Sequence, residues 1–122
     1  MEICFDDVQD NVLIIKASGK LNSRTAAQFS ESIGKMVDIR LWNIIVDCSE
    51  LDHLSIYGLG VLVRLHRKMD EKLGEIKIAS ATGLIVTVLR RARLSERFKI
   101  YPDVASARQA FKKVKKTPLI LR

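Results

Sequence analysis

Short runs of β-branched and other apolar residues alternate with amphipathic stretches along this chain, and this alternation restricts the possible folds more than any other feature. The runs typical of buried strands are residues 12–17, 43–48 and 75–79. After these runs, apolar residues recur every three or four positions, which is typical of helices that cover a sheet. Parallel strands need crossover connections, and each predicted helix supplies one. The sequence therefore predicts an α/β fold with a mixed, mostly parallel β-sheet and about four helices packed mainly on one side.

Local signals predict where the first strands begin and end. Residues 2–7 should pair with residues 12–17 through a turn at residues 10–11, which would make the sheet mixed. The second strand should stop at Gly19, because glycine tolerates the backbone conformations of a turn. A loop of polar residues is expected after the strand at 43–48.

The helices are predicted from their caps and apolar stripes. Asn22 or Ser23 can cap the first helix, because a short polar side chain accepts hydrogen bonds from free amides. The second should begin near Ser55 and run to about Lys72, with Gly74 as its stop. Their stripes are Ala26, Phe29, Ile33 and Met36, then Leu59, Leu62, Leu65 or His66, Met69 and Leu73. The later elements are a helix over 83–94, a strand over 98–101 and a helix opened by Pro102 and Asp103, with Val104, Ala107, Phe111 and Val114 inside.

Length and composition are those of one compact domain spanning residues 1–122, since 48% of the residues are hydrophobic. No apolar stretch approaches the roughly 18–20 residues that a membrane helix needs, so no membrane insertion is expected. Cys4 and Cys48 lie far apart and form no CxxC pair, which argues against a disulfide framework or zinc site. The acidic N-terminus is unlike a secretory signal, and we expect a protein of the reducing cytoplasm.

The net charge of +7 is unevenly distributed along the chain. Residues 1–60 hold five basic and nine acidic residues, whereas residues 61–122 hold sixteen and five. Such a split can indicate binding to nucleic acid or to an anionic surface. Aromatic residues are only 6% of the chain, so few side chains can stack on bases. We therefore expect no nucleic-acid partner, and a positive face that meets an acidic protein instead.

Catalytic, metal and nucleotide motifs are weak. The two histidines, His53 and His66, lie in a loop and on a helix flank, and no GxSxG elbow accompanies them. No metal-ligand spacing is present. Gly58 and Gly60 begin a GxGxxG pattern, but the third glycine is replaced by Val63. We expect these two glycines to let a helix start pack tightly on the sheet, and we predict no catalytic residue, no cofactor and no metal.

The junction from His53 to Gly58 is more informative, because it connects the carboxyl end of a strand to a helix. Open α/β sheets usually place their sites at this rim. Ser55 is well placed as the N-cap of the helix. A helix N-terminus also favours a phosphate, so Ser55 could serve as a cap or as a phosphorylation site.

Several pieces of the chain form a pattern in their order and spacing. They are the turn at residues 19–22, the strand 43–49, the helix start 58–62, and the distal pieces Ile78-Ala79, Thr82-Gly83, Leu89, Leu94, Phe98, 100–103 and 105–107. Together they resemble the STAS domain family, the fold of bacterial anti-sigma factor antagonists, and residues 19–22 look like the G-x-L-D turn of that family. The resemblance covers nearly the whole length of the chain.

The resemblance implies a function by binding. An antagonist of this kind docks on an anti-sigma factor or serine/threonine kinase-type protein and releases the sigma factor that this partner holds. Phosphorylation of a serine or threonine beside the second helix would block docking, because a phosphate adds about −1.5 to −2 charge to the interface. The resemblance implies no enzymatic activity, and we expect a monomer or a weak dimer. The alternative is an accessory subunit of a transporter or lipid-transport system, since STAS domains also occur there.

The chain departs from the family where the switch should be. Family members regulated this way carry D-S-[ST]-G, and this chain carries Ser55, Ile56, Tyr57 and Gly58. Ile56 and Tyr57 occupy the two hydroxyl positions, so Ser55 remains only as a displaced phosphoacceptor. Asn22 likewise replaces the aspartate of G-x-L-D.

These departures predict a partner-binding face without the usual phosphorylatable serine. It is expected to comprise Asn22, Ser55, Ile56, Tyr57, Gly58 and Leu84. Exposed together, Ile56 and Tyr57 would form an apolar anchor; the alternative buries Ile56 against the sheet. On the third helix, Leu84 or Val86 should be exposed, because five apolar residues cannot all face one core.

Overall fold

A computed structural model describes residues 2–9, 12–38, 43–94 and 98–111. The strands are β1 (Glu2–Gln9), β2 (Val12–Leu21), β3 (Asn43–Leu54), β4 (Glu75–Ala79) and β5 (Ile100–Tyr101). The helices are α1 (Ala26–Asp38), α2 (Ile56–Glu71), α3 (Gly83–Arg91) and α4 (104–111). The five strands form one sheet in the order in which they occur in the chain. β1 is antiparallel to β2, and the other neighbours are parallel, so the prediction of a mixed, mostly parallel sheet is confirmed.

Successive residues of the central strands face two separate cores, which explains their continuous apolar runs. Leu13 and Ile15 of β2 belong to the larger core, which α1, α2 and α3 cover. Val12 and Ile14 belong to a smaller core on the opposite face, which α4 closes with Ala107 and other residues. Three helices therefore lie on one face of the sheet and one on the other.

The smaller core contains a buried lysine, which α4 helps to accommodate. The side chain of Lys77 is 1% exposed and forms an ion pair with Glu75. Its ammonium group lies 4.6 Å from the centre of the Phe111 ring and 5.4 Å from that of Tyr101. Aromatic faces attract cations, so these contacts compensate for the loss of water around the charge.

The polar segment after residue 48 is a strand and not the expected loop. β3 continues to Leu54, and β2 continues past Gly19 to Leu21, with Ser18 opposite Glu50 and Leu21 opposite Leu54. Two register shifts interrupt the pairing. Because of them, the buried residues of this segment are spaced three apart and the period of two that identifies a strand is lost.

Other boundaries differ by a few residues from those predicted. α3 ends at Arg91 and β5 begins at Ile100, so both are shorter than expected. α2 and β4 have the predicted extents, but Leu73 was wrongly assigned to the inner stripe of α2, since it lies beyond the helix and is 96% exposed. The turn at 10–11 and Val114 lie outside the described residues, as does the side chain of Met36. In the described part of the chain, no helix is long and apolar enough to span a bilayer.

Candidate functional site

The carboxyl ends of β2 and β3 meet the start of α2 at one corner of the fold. The amide of Ser55 donates a hydrogen bond to the carbonyl of Leu21 at 3.0 Å, which fixes the beginning of α2 against β2. The Ser55 hydroxyl accepts a hydrogen bond from the amide of Gly58 at 3.3 Å. Ser55 is therefore the N-cap of α2, as predicted.

Gly58 permits this close approach, but Gly60 does not contribute to it. A β-carbon at position 58 would lie 2.7 Å from the Leu21 carbonyl oxygen and 2.9 Å from a methyl carbon of Leu54. Gly60 is exposed and faces open space. The prediction that glycine lets the helix pack tightly is thus right for Gly58 and wrong for Gly60.

Asn22 connects β2 to α1 and lies next to Leu21 at the same corner. Its side-chain oxygen accepts hydrogen bonds from the amides of Arg24 at 3.0 Å and Thr25 at 3.3 Å. The amide of Asn22 donates to the Thr25 hydroxyl at 2.9 Å. Asn22, rather than Ser23, therefore orders the turn before α1.

Three large apolar side chains are exposed at the starts of α2 and α3. Ile56 is 77% exposed, Tyr57 64% and Leu84 58%. The alternative in which Ile56 is buried is wrong, because the tight contact at Gly58 orients the first turn so that Gly58 and not Ile56 faces the sheet. Val86 is partly buried, so Leu84 is the exposed member of its pair. We call the surface of Asn22, Ser55, Ile56, Tyr57, Gly58 and Leu84 the rim.

α3 begins differently from α2. Thr82 occupies the N-cap position, but its side chain forms no capping hydrogen bond. The preceding Ser80 has a positive φ of 59°, a conformation that L-residues seldom adopt. Sequence reasoning did not identify this uncapped start, although the apolar residues at 84–86 indicated the helix.

Among the described residues, the interior beneath the rim contains a small apolar cavity. The sheet and α1–α3 leave a cavity of about 10 Å³, room for roughly one water molecule, with apolar walls that include Leu21, Leu54 and Ile85. Cys48 also contributes to the wall, and burial together with the charge of Asp47 raises the pKa of its thiol to about 12. Such a thiol is neutral near pH 7 and a poor nucleophile.

In the described part of the molecule, the side chains that could act in catalysis or bind a metal do not lie close together. His53 is exposed on β3, whereas the ring of His66 packs edge-on against Phe98 with 5.1 Å between centroids. No three histidine, cysteine or acidic side chains among the described residues are placed to hold a metal ion. The distinctive feature of the rim is therefore its exposed apolar surface.

The sequence model of the STAS domain family matches residues 6–107, which is most of the chain. This protein belongs to the STAS domain family. The sequence is also 27% identical over 119 residues to BtrV of Bordetella bronchiseptica, which is named as an anti-sigma factor antagonist. That match covers 98% of each chain. The resemblance seen in the sequence is confirmed by the match to the family model.

Solved structures share the STAS fold. A protein from Thermotoga maritima that is named as an anti-sigma factor antagonist superposes with a TM-score of 0.82 at 21% identity, over 85% of this chain and 90% of that chain. A sulfate transporter family protein from Wolinella succinogenes superposes with a TM-score of 0.74 at 12% identity, over 89% and 90%. Because the same fold occurs in both settings, the fold alone does not identify the partner of a STAS domain.

Proposed function

We propose that this STAS domain is a non-catalytic regulator that resembles an anti-sigma factor antagonist and binds an anti-sigma factor or kinase-type partner through the rim. The observation that carries the proposal is the exposure of Ile56 and Tyr57 at the start of α2. Large apolar and aromatic side chains of this kind dominate the energetics of protein interfaces. The relative from Bordetella is named as an anti-sigma factor antagonist and matches this chain over nearly its full length, which supports the same class of function.

Hydrogen bonds and close packing hold the backbone of the rim in place, which favours binding by a preformed surface. Asn22 orders the turn before α1, and Ser55 caps α2. Gly58 holds the first turn of α2 against β2 and leaves Tyr57 outside. A partner would therefore lose little freedom of this surface on docking, and most of the interaction energy would remain available for affinity.

We further propose that binding is constitutive. The two positions that carry hydroxyl groups in phosphorylated relatives hold Ile56 and Tyr57 here, and the Ser55 hydroxyl is engaged with the Gly58 amide. A serine/threonine kinase would have to modify this capping hydroxyl or accommodate the far larger Tyr57. Neither group offers the usual switch.

The test is a calorimetric titration of an anti-sigma factor or kinase-type protein from the same organism with the wild type and with Tyr57→Asp. A carboxylate in the centre of an apolar contact should weaken binding at least about tenfold, because a buried unpaired charge is strongly unfavourable. Gln109→Asp adds the same charge at an exposed position of α4, across the sheet from the helix layer that forms the rim, and should leave affinity unchanged. Equal affinities of the wild type and Tyr57→Asp would reject the rim as the interface.

A role beside a transporter is the second candidate, and the basic residues of the second half of the chain favour it. They would complement an acidic transporter ATPase or an anionic membrane surface. Co-purification with an ATPase in place of an anti-sigma factor would distinguish this role from the first.

A further inference from the structure

α2 and α3 end in the same hydrogen-bonded motif, and each has an unusual residue at its key position. The amide of Gly74 donates to the Met69 carbonyl at 2.7 Å, and that of Leu94 donates to Leu89 at 2.9 Å. Both patterns are Schellman motifs, whose left-handed residue is usually glycine. Here that residue is Leu73 in α2, with φ of 61°, and Arg93 in α3, with φ of 59°.

Leu73 is unfavourable for folding in two ways. The left-handed conformation destabilises any residue with a β-carbon, and glycine stands next to it in the sequence. The side chain is 96% exposed, so it gains nothing from burial in the core. The spacing of Leu73 fits the inner stripe of α2, which is why the sequence did not reveal its exposure.

The two motifs lie at the same end of the molecule. They precede β4 and β5, which are adjacent and parallel, with Ile78 opposite Ile100. Both strands therefore begin at the same end of the sheet. The contact of His66 with Phe98 ties α2 to the residue that comes two positions before β5. Arg67, the next residue of α2, is therefore near the start of β5.

Cations dominate this end of the helix layer. Among residues 64–93, seven exposed residues are basic and two are acidic. We define the basic end by its exposed residues Arg67, Lys68, Leu73, Arg90, Arg91 and Arg93. The acidic residues Asp70 and Glu71 lie within it, so the excess of positive charge is partial but clear.

We infer that the basic end binds an anionic bilayer surface peripherally, with Leu73 entering the boundary between headgroups and acyl chains. An anionic bilayer suits a leucine surrounded by cations, because its headgroups attract the cations and the adjacent acyl chains accept the apolar side chain. Single-stranded nucleic acid is disfavoured, because the basic end contains no aromatic side chain that could stack on bases. This inference rests on the second candidate function, in which the basic residues face an anionic surface, and not on partner binding at the rim.

The placement leaves the rim accessible. α2 has 16 residues and is therefore about 24 Å long, with the rim at its start and the basic end at its finish. A domain adsorbed through the basic end would present the rim away from the membrane. Membrane adsorption and partner binding could then occur together.

The experiment is co-sedimentation of the full chain with vesicles of phosphatidylcholine alone or mixed equally with phosphatidylglycerol. Binding should require phosphatidylglycerol and disappear when salt reduces the Debye length from about 30 Å to about 3 Å. Arg90→Glu with Arg91→Glu should weaken partitioning at least about twentyfold, since each cation contributes about a fivefold increase. Lys20→Glu with Arg24→Glu reverses the same number of exposed cations outside the basic end. With both double variants compared at an ionic strength that gives a Debye length of about 10 Å, this control should change partitioning less than about threefold.

Leu73→Gly separates this role from a structural one. Glycine suits the left-handed position, so the variant should unfold at a higher temperature while its partitioning onto the mixed vesicles falls about fivefold. Wild-type partitioning by Leu73→Gly would overturn the inference. So would equal losses in the two charge-reversed variants, or tighter binding to a DNA duplex than to the vesicles at the same salt concentration.

Discussion

The exposed side chains at the starts of α2 and α3 include large apolar groups, whereas those at the ends of the two helices are mostly cationic and include one leucine. At the rim, Ile56, Tyr57 and Leu84 are accessible, yet the backbone beneath α2 is held by a cap and by the contact of Gly58 with Leu21. At the basic end, Leu73 and Arg93 occupy left-handed positions that glycine would occupy with less strain. The start of α2 is thus held by a cap and by close packing, whereas the residue in the left-handed conformation after its end lowers the stability of the fold.

The difference shows that exposure alone does not distinguish a binding surface from ordinary surface. Single exposed aliphatic residues are common in folded proteins. At the rim, the exposed residues follow a helix start that the core fixes in place. At the basic end, Leu73 is exposed at a position where its backbone is also unfavourable, and that coincidence of two penalties is the stronger indication of a role outside folding.

The largest expected effect on stability concerns the start of α2, at the rim. Gly58→Ala should destabilise the protein by about 3 kcal/mol, because its methyl group would contact the Leu21 carbonyl at 2.7 Å and the backbone would have to move. Gly60→Ala is the matched control two residues later in the same helix. It should stabilise the protein by about 0.5–1 kcal/mol, since alanine favours a helix and position 60 faces open space.

Urea denaturation of the two alanine variants measures both changes. Opposite signs would show that the start of α2 is fixed by close packing. A Gly58→Ala variant as stable as Gly60→Ala would contradict the contact with Leu21 and remove the basis for a preformed rim.

Much of the fold could be predicted from the sequence, because local patterns and the final structure agree over most elements. β4 and the N-cap at Ser55 occur as predicted, since a continuous apolar run and a capping serine are local signals. The extension of β2 and β3 could not be predicted. Its register shifts place buried residues three apart, and only pairing between distant segments shows that it is a strand.

The start of α2 could be located from the sequence, but the exposure of its side chains could not. The junction at Ser55 was identified because helices start after strand ends at this edge of such sheets. Whether Ile56 was buried depended on the contact of Gly58 with Leu21, which lie 37 positions apart in the sequence. Leu73 was misplaced for a related reason, since its spacing fits the stripe of α2 but the helix ends before it.

The next prediction concerns the two left-handed residues of the basic end. Leu73→Gly and Arg93→Gly should each stabilise the protein by about 1 kcal/mol, because glycine relieves the left-handed strain and neither substitution removes a buried side chain. Thermal denaturation measures the gain. Lys72→Gly is the control, since its φ of −99° is ordinary for any residue and glycine should not stabilise there. A loss of stability in both Leu73→Gly and Arg93→Gly would show that these side chains contribute to folding.

The smallest effect compares the two helix starts with each other. Ser55→Ala should destabilise the protein by about 0.5–1 kcal/mol, the lower part of the usual range, because the hydrogen bond from the Gly58 amide is 3.3 Å long. Thr82→Ala should change stability by less than about 0.5 kcal/mol, since the Thr82 side chain makes no capping hydrogen bond. Urea denaturation under one set of conditions compares the two variants. Equal losses would mean that the Thr82 hydroxyl also caps its helix in solution, and α2 and α3 would then begin in the same way.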